Sequence, residues 1–173
     1  MGKIVKPQRV KLFIGLIFPE TTLIPDIKKK LRSKFGNIDF ESKILDFNYT
    51  GYYEKEFGVN LKRSFLSFSK LILPDKIAAI KNTTNKLEMG LTKGQKRLIN
   101  LDPGYLNDAK VVLATTKDYA HRIYLKDGIY AENTLVFTQG SFKPYPWTYP
   151  DYQTEQYAEI FNQIRNIYMK QRK

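Results

Sequence analysis

The sequence of 173 residues contains no cysteine, a single histidine and a single tryptophan. Without cysteine, the chain forms no disulfide framework and no zinc site with thiolate ligands. The single histidine, His121, excludes the phosphoesterases that transfer protons between two histidines, although the opening KLFIGLIFPE superficially resembles their first strand. No motif in the chain identifies a cofactor, so the sequence leaves the cofactor unknown.

The glycine-rich loops that bind phosphate groups are also missing. There is no G-x-x-x-x-G-K-[ST] and no G-x-G-x-x-G, which excludes the usual cradles for nucleoside triphosphates and dinucleotides. The segment GLTKGQKR, residues 90–97, has glycines and lysines at other spacings. Thr116-Lys117-Asp118 is close to the guanine-reading Thr-Lys-x-Asp of GTPases, but its aspartate comes one residue early. A G-x-S-x-G turn to present a nucleophilic serine is absent as well.

Long apolar runs are absent too, since the longest is LFIGLIF, from Leu12 to Phe18. It is much shorter than the roughly 18 residues that a membrane-spanning helix needs. It ends in Phe18-Pro19-Glu20 and not in the small residues of a signal-peptide cleavage site. With 42% hydrophobic residues, the sequence predicts a single globular domain over residues 1–173, in the cytoplasm and without a membrane partner.

Positive charge is abundant, and the net charge is +12. Residues 61–100 hold nine basic and only two acidic side chains, so this segment carries most of the surplus. A basic surface attracts phosphate groups or nucleic acid. A generally lysine-rich composition explains the surplus equally well.

The first hundred residues alternate between strand and helix patterns. Strands are predicted at 9–18, 38–49, 61–73 and 96–101, the first buried on both faces and the second with a bulge near Ile44-Leu45. Apolar residues at helical spacing predict one helix after Pro19 and another after Pro74; they are Ile24, Ile27, Leu31 and Phe35, then Ile77, Ile80, Thr84 and Leu87. The order predicts an α+β fold with a ferredoxin-like split βαβ core, β-α-β-β-α-β.

The second half of the sequence extends this core. Asp102-Pro103 resembles a helix N-cap, and the apolar spacing that follows favours a helix over 103–117, although its valine and threonine content favours a strand. Asp127-Gly128 predicts a β-hairpin. Residues 141–152 contain three prolines and are expected to be irregular. An amphipathic C-terminal helix is predicted from Tyr157, Ile160, Phe161, Ile164 and Tyr168.

Polar and charged side chains are concentrated between residues 100 and 132. Three of these side chains can transfer protons or orient the groups that do so. They belong to His121, Glu132 and Asp102, which are the candidate catalytic residues. Lys117, Arg122 and Tyr124 are the candidate ligand-binding residues, because lysine and arginine hold anionic groups. Pairing across the hairpin is expected to bring Glu132 near His121 or Arg122, and to set Tyr124 opposite Ala131. No metal site is predicted.

Structural roles explain the same residues. His121 and Arg122 can form an internal pair with Glu132, and Asp102 can be a helix cap. In the strand at 61–73, Phe65 and Phe68 are expected in the core more than as base-stacking residues, with Arg63 solvated beside them. Trp147 is expected to pack with two tyrosines, Tyr145 and Tyr149.

Several stretches taken together resemble a known family. They are KLFIGLIF, SFLSFSKLI, NLDPGYL, KVVLATTKDYAHRIYL, GIYAENTLVF and PWTYPDY. They are similar to a prokaryotic family catalogued as domain of unknown function 4416, over residues 11 to about 168. Some members of that family carry an automatic label as GTP-binding proteins, and beyond this label the resemblance implies little about function. It brings no catalytic residues that could be assigned here.

Three functions remain open at this stage. The first is binding of an anionic, phosphate-bearing, nucleotide-like ligand by the cluster of Lys117, His121 and Arg122. The second is a nucleic-acid-binding module that uses the basic segment 61–100. The third is a non-enzymatic structural or interaction protein. The oligomeric state, and whether any reaction is catalysed, are undetermined.

Overall fold

The central strand of the protein is the apolar run that the sequence marks most clearly. In this computed structural model, which describes residues 2–19, 21–94 and 96–172, β1 spans Lys11–Phe18 and is buried along its whole length. Burial on both faces explains why β1 lacks the apolar–polar alternation of a half-exposed strand. Its neighbours are β4 (Lys62–Phe68) on one side and β7 (Asn100–Leu106) on the other.

One large antiparallel sheet runs through the protein in the order β11-β10-β8-β7-β1-β4-β2. Two short strands join it at the margins, β3 beside β4 and β9 beside β10. Strands β5 and β6 form a separate small ribbon. The remaining strands are β2 (Ile38–Glu41), β3 (Leu45–Asp46), β5 (Thr92–Lys93), β6 (Lys96–Arg97), β8 (Lys110–Thr115), β9 (Arg122–Lys126), β10 (Ile129–Thr138) and β11 (Ser141–Pro144).

Helices cover both faces of the sheet. Helices α1 (Ile24–Phe35) and α3 (Ile77–Met89) pack in one apolar cluster with Leu12, Leu16 and the other even-numbered side chains of β1. Helix α4 (Glu155–Gln171) packs in a second cluster with Phe13 on the opposite face. A short helix, α2 (Glu54–Phe57), lies in the connection between β3 and β4.

Most of the predicted elements are present with altered limits. Helices α1, α3 and α4 bury the apolar faces on which they were predicted. The strand predicted over 38–49 is interrupted and forms β2 and β3, while the strand over 61–73 is shorter and forms β4. The strand predicted over 96–101 is divided between β6 and the start of β7, and residues 141–144 form a regular strand where none was expected.

The helix predicted over 103–117 is wrong. These residues form the β7–β8 hairpin, and Asp102 lies within a strand and caps no helix. The turn is made by Asn107, whose side-chain oxygen accepts hydrogen bonds of 2.9 Å from the backbone N–H groups of Ala109 and Lys110. Because this strand pair is covered on both faces, its apolar residues are nearly continuous and match a helical spacing by chance.

The hairpin predicted at Asp127-Gly128 is confirmed, with both residues at positive φ angles of 53° and 75°. The two positive angles are those of the tight turns that favour Asp-Gly. An irregularity after Ile129 shifts the register by one residue from the expected pairing. Tyr124 therefore faces Tyr130, and Glu132 faces Arg122.

Within the three described ranges, no helix combines the length and the apolar composition that crossing a membrane requires. The cytoplasmic location stays a prediction.

Candidate functional site

A cavity of about 630 Å³ opens at one end of the sheet, where β1 and β8 end and where β4 and β7 begin. It lies where two neighbouring strands separate. Strand β7 pairs with β1 from Asn100 onward, but it pairs with β8 only from Gly104. Pro103, which has no backbone N–H to donate, occupies the position at which the β7–β8 ladder ends. The separation leaves Asp102 free to contact groups from other elements.

The wall of the cavity combines aromatic rings with charges of both signs. Five tyrosines contribute to it: Tyr49, Tyr52, Tyr53, Tyr149 and Tyr152. Four basic side chains and four acidic ones do so as well: Arg63, Lys81, Arg97, Lys117, Glu88, Asp102, Glu132 and Asp151. A cavity of this size is typical of sites for small molecules.

Asp102 is the carboxylate on which several cavity residues converge. Its Oδ2 accepts hydrogen bonds from Arg63 Nη1 at 3.2 Å and from Asn100 Nδ2 at 2.8 Å. The ammonium of Lys81 is 3.7 Å from Oδ1. Burial by itself raises the pKa of Asp102, but the charges of Lys81 and Arg63 outweigh burial and hold the pKa below its ordinary value. Asp102 is therefore a stable anion whose side chain keeps 27% of its surface exposed.

Arg63 lies in the deepest part of the wall, with only 1% of its side chain exposed. Its Nη2 donates a 2.8 Å hydrogen bond to the hydroxyl of Tyr152, and its guanidinium lies 4.7 Å from the ring centre of Phe65. Among the described residues, its buried Nε has no hydrogen-bond partner. Gly15 on β1 leaves the necessary room, since a Cβ there would lie 2.7 Å from Arg63 Nη2.

Helix α3 supplies Lys81 and Glu88 from its buried face. Lys81 Nζ donates to the carbonyl of Leu101 at 3.0 Å, and Glu88 Oε1 accepts from the Leu101 N–H at 2.7 Å. Arg97 bonds to Glu88 and, through Nε at 2.6 Å and Nη2 at 2.7 Å, to both oxygens of Glu56. Burial raises the pKa of Glu88 despite these contacts. Glu88 and Arg97 are thus engaged in structural bonds, while Lys81 has donors to spare.

Asp151 is the second residue of the short 3-10 turn Pro150–Gln153 and is 7% exposed. No side chain among the described residues donates a hydrogen bond to its carboxyl group within bonding distance. Burial and, after it, the negative charge of Asp102 raise the pKa of Asp151, although Arg63 opposes this effect. Asp151 therefore keeps its proton to a higher pH than an ordinary aspartate, in contrast to Asp102.

Glu132 on β10 connects the cavity to the predicted cluster. Its Oε2 is 3.1 Å from His121 Nε2 and accepts from Arg122 Nε at 2.9 Å. Arg122 also donates to the Lys117 carbonyl at 3.1 Å and to the Tyr149 hydroxyl at 2.5 Å. Glu132 is 1% exposed and Arg122 8% exposed, so these groups form an internal network.

The single histidine is part of an aromatic stack outside the cavity wall. The His121 ring stacks on Trp147 at 5.4 Å, and Trp147 stacks on Tyr145 at 4.8 Å. The Trp147 indole nitrogen donates to the Asn133 carbonyl at 3.0 Å. His121 precedes β9 in a turn, which is why it reaches Glu132 on the same side as Arg122.

Lys117 lies at the rim of the cavity, and its ammonium is 4.0 Å from the ring centre of Tyr52. Among the described residues, no carboxylate lies within ion-pair distance of it. Cation–π contacts of this kind leave most of the ammonium hydrogens available to a ligand. Lys117 is the exposed cation of the site.

The six predicted residues are therefore distributed over three places. Lys117, Glu132 and Asp102 line the cavity. His121 and Arg122 are not among its lining residues and hold Glu132 instead. Tyr124 is exposed on β9, where it packs edge-on against Tyr130 at 5.3 Å.

Several cavity residues were missed from the sequence. Arg63 was expected to be solvated, which is wrong, because it is buried beneath Tyr152. Lys81 and Glu88 fall at i+4 and i+11 from Ile77, on the apolar face of α3, and charged residues on such a face are a signal for buried function. No local pattern marks Asp151, which follows a proline in an irregular segment.

Acidic and histidine side chains are not gathered into a metal site. Across residues 2–19, 21–94 and 96–172, no group of three or more such side chains is placed to hold a metal ion. The cavity wall itself contributes carboxyl, ammonium, guanidinium and phenol groups.

Comparison with known proteins identifies the family of the chain. Neither a curated protein nor a solved structure matches the chain. A family described as a domain of unknown function matches residues 8–168, which includes every strand and nearly all of α4. The chain therefore belongs to the family Domain of unknown function (DUF4416).

Proposed function

We propose that the cavity binds a small anionic, phosphate-bearing ligand with a planar ring, such as a nucleotide. The observation that carries the proposal is the ammonium of Lys117, which has no carboxylate partner among the described residues and lies at the rim of a tyrosine-lined cavity. Tyr49, Tyr52 and Tyr149 offer ring faces and edges for a planar group. Lys117 and the unused donors of Lys81 offer contacts to a phosphate group.

The acidic side chains of the cavity do not prevent anion binding. Glu132 and Glu88 are each neutralised by an arginine, Arg122 and Arg97. Asp102 has two cations beside it, and the positive charge of Arg63 also opposes that of an ionised Asp151. Lys117 therefore remains as a positive charge without a partner among the described carboxylates.

In this proposal, His121 and Arg122 act indirectly. Arg122 holds Glu132 and the Tyr149 hydroxyl, both of which line the cavity. Their substitution is expected to weaken ligand binding by displacing those two groups.

Isothermal titration against a panel of nucleoside mono-, di- and triphosphates tests the proposal. Lys117→Ala is expected to weaken binding by about tenfold, the loss of a charge-assisted contact. Lys126→Ala, which removes an exposed lysine that is not among the lining residues, is the matched control. Binding that is equal in wild type and Lys117→Ala would show that the rim lysine does not contact the ligand. Absence of binding by every nucleotide would reject the nucleotide-like class.

Nucleic-acid binding by residues 61–100 is the alternative, and it has less support. Three of the basic residues in this segment, Arg63, Lys81 and Arg97, line the cavity and contact carboxylates. The remaining ones include exposed Lys70, Lys76 and Lys86. Electrostatic binding to nucleic acid weakens steeply as salt rises, so a gel shift that does not respond to salt would reject this alternative.

We also propose that the first half of the chain is a ferredoxin-like core. Support comes from the strand order β7-β1-β4-β2, from antiparallel pairing throughout, and from helices α1 and α3 on one face. Experimental coordinates in which β4 did not separate β1 from β2 would contradict this proposal.

A further inference from the structure

Two carboxyl groups of the cavity stand in opposite electrostatic environments. Asp102 accepts hydrogen bonds from Arg63 and Asn100 and lies beside the ammonium of Lys81. Asp151 is buried at the same cavity and receives no side-chain hydrogen bond from the described residues. Their pKa values are displaced in opposite directions, downward at Asp102 and upward at Asp151. Two carboxyl groups whose pKa values differ in this way can serve as a base and an acid at one site.

The groups between these carboxyls are arranged for a ligand. Arg63 bonds to Asp102 through Nη1 and to Tyr152, the neighbour of Asp151, through Nη2. It is 99% buried, lines the cavity, and has an Nε without a partner among the described residues. An orphaned donor on a buried cation is costly in an empty site, and a polar ligand or an ordered water at the cavity would satisfy it.

Pairs consisting of one protonated and one ionised carboxyl group are the machinery that cleaves glycosidic bonds. One group protonates the departing atom, and the other activates water or stabilises the positive charge that develops on the sugar carbon. A nucleotide contains one such bond, between its base and its sugar.

We infer that the cavity hydrolyses the N-glycosidic bond of a nucleoside monophosphate, with Asp151 as proton donor and Asp102 as the group that receives a proton from water. This inference rests on the proposed function. Asp151 protonates a base nitrogen as the bond from C1′ breaks and its electron pair leaves with the base. Water adds to C1′ and loses a proton to Asp102. The products are the free base and the sugar phosphate, and proton exchange with solvent restores both carboxyls.

The side chains around the pair have matching roles. The ammonium of Lys117 would hold the phosphate at the rim, and Tyr52 lies directly beside it. Tyr149, whose hydroxyl is fixed by Arg122, offers a ring to the base. Arg63 and Lys81 keep Asp102 ionised and in place, which makes them positioning residues.

The test is chromatographic detection of free base released from ribo- and deoxyribonucleoside monophosphates, with binding measured in parallel by titration calorimetry. Asp151→Asn is expected to lower release by at least about 100-fold while affinity is kept, which is the usual contribution of a positioned general acid. Asp151→Glu, which retains a carboxyl group, is expected to keep part of the activity. Asp75→Asn, an exposed aspartate outside the cavity, is the matched control.

The outcomes separate this inference from the proposed function. Binding without release of base by the wild type would overturn the inference and leave the ligand site intact. Equal release by wild type and Asp151→Asn would overturn the role of Asp151. If no nucleotide binds, the proposed function fails and this inference fails with it. If Asp151→Asn does not fold, a folded Asp151→Glu that binds with normal affinity but releases base more slowly than wild type would support the role, and unchanged release together with unchanged pH dependence would overturn it.

Discussion

At the scale of single residues, the cavity is governed by charges buried near one another. Arg63 is almost fully removed from water, and an isolated buried cation is unfavourable by several kcal/mol. Asp102 compensates this charge and that of Lys81 as well. Removing one member of such a group leaves the others buried without compensation, which costs more than the pair itself contributes.

Replacement of Asp102 with asparagine is therefore expected to destabilise the protein by about 3 kcal/mol, because two buried cations lose their counterion. Urea denaturation of wild type and variant measures this difference. Asp46→Asn is the control, since Asp46 pairs with Lys62 at the surface with 72% of its side chain exposed, and surface pairs contribute little. An Asp102→Asn protein within about 0.5 kcal/mol of wild type would mean that the cations are solvated.

Gly104 is a second position at which one added carbon atom is expected to destabilise the protein. A Cβ at this position would lie 2.4 Å from the ring of Phe13 and 2.5 Å from the Val112 carbonyl. Gly104→Ala is expected to cost about 3 kcal/mol, because neither the core ring nor the backbone can move aside. Gly90→Ala is the matched control, since its nearest contact is at an ordinary 3.5 Å and its φ of −79° suits alanine. Similar melting temperatures for the two variants would contradict the expected clash.

At the scale of elements, the sequence predicted secondary structure best where only one face of a helix or strand packs against the core. Helices α1, α3 and α4 follow the apolar spacing that predicted them, and the Asp-Gly turn formed as expected. The β7–β8 hairpin, in contrast, replaces the helix that was predicted over residues 103–117. Its strands are covered on both faces, so periodicity did not distinguish strand from helix, and the valines of β8 carried the better signal.

Helix α4 also depends on its N-cap residue, Thr154. Thr154 accepts a 3.3 Å hydrogen bond from the Tyr157 N–H and donates one of 2.8 Å to the Asp151 carbonyl. Thr154→Ala is expected to destabilise the protein by about 1 kcal/mol, the usual effect of losing a helix cap. Thr154→Ser keeps the hydroxyl and should stay close to wild type in the same chemical denaturation. Equal losses in both variants would assign the effect to the methyl group instead.

At the scale of the whole molecule, the cavity exists because distant parts of the chain meet at one end of the sheet. Arg63 is 39 residues from Asp102 and 89 residues from Tyr152, yet it bonds to both. Strand β4 supplies the arginine, β7 the aspartate, α3 the lysine, and the segment before α4 the tyrosine. No local window of sequence contains this arrangement.

Because these distant residues meet at the cavity, we expect its two aspartates, Asp102 and Asp151, to have different pKa values. In a carboxyl-carbon NMR titration, Asp102 is expected to have a pKa below, and Asp151 above, the ordinary value. The stability that Asp102 provides is present above its unfolded-state pKa and is lost as pH falls through its lower folded-state pKa. Asp151 has the opposite sign, and its stabilising effect is lost as pH rises through its raised folded-state pKa.

Salt provides the control for this titration. The pKa of Asp108 is lowered chiefly by a hydrogen bond from Arg172 at the surface, which outweighs the opposing effect of burial. High salt should move the pKa of Asp108 toward its ordinary value and leave that of Asp102 nearly unchanged, because buried pairs are screened less. Coincident titration of Asp102 and Asp151 would contradict the environments described for the cavity.

The sequence predicted only part of the site, because the cavity is formed by residues that are far apart in the chain. The sequence directed attention to residues 100–132, and Asp102, Lys117 and Glu132 from that segment do line the cavity. It could not reveal Arg63, Lys81 or Asp151, because their importance depends on which charges they meet. It also could not reveal that Arg122 and His121 hold Glu132 from outside the cavity wall.

The sequence by itself determined the helices, the central strand, the Asp-Gly turn and the absence of familiar phosphate-binding loops, because each of these is expressed in the spacing of neighbouring residues. Only the tertiary structure decided that β7 and β8 form a hairpin, that they separate before Gly104, and that Arg63 and Asp102 meet there. The physical reason is that burying a charge is favourable only beside its partner, and here the partners come from separate strands.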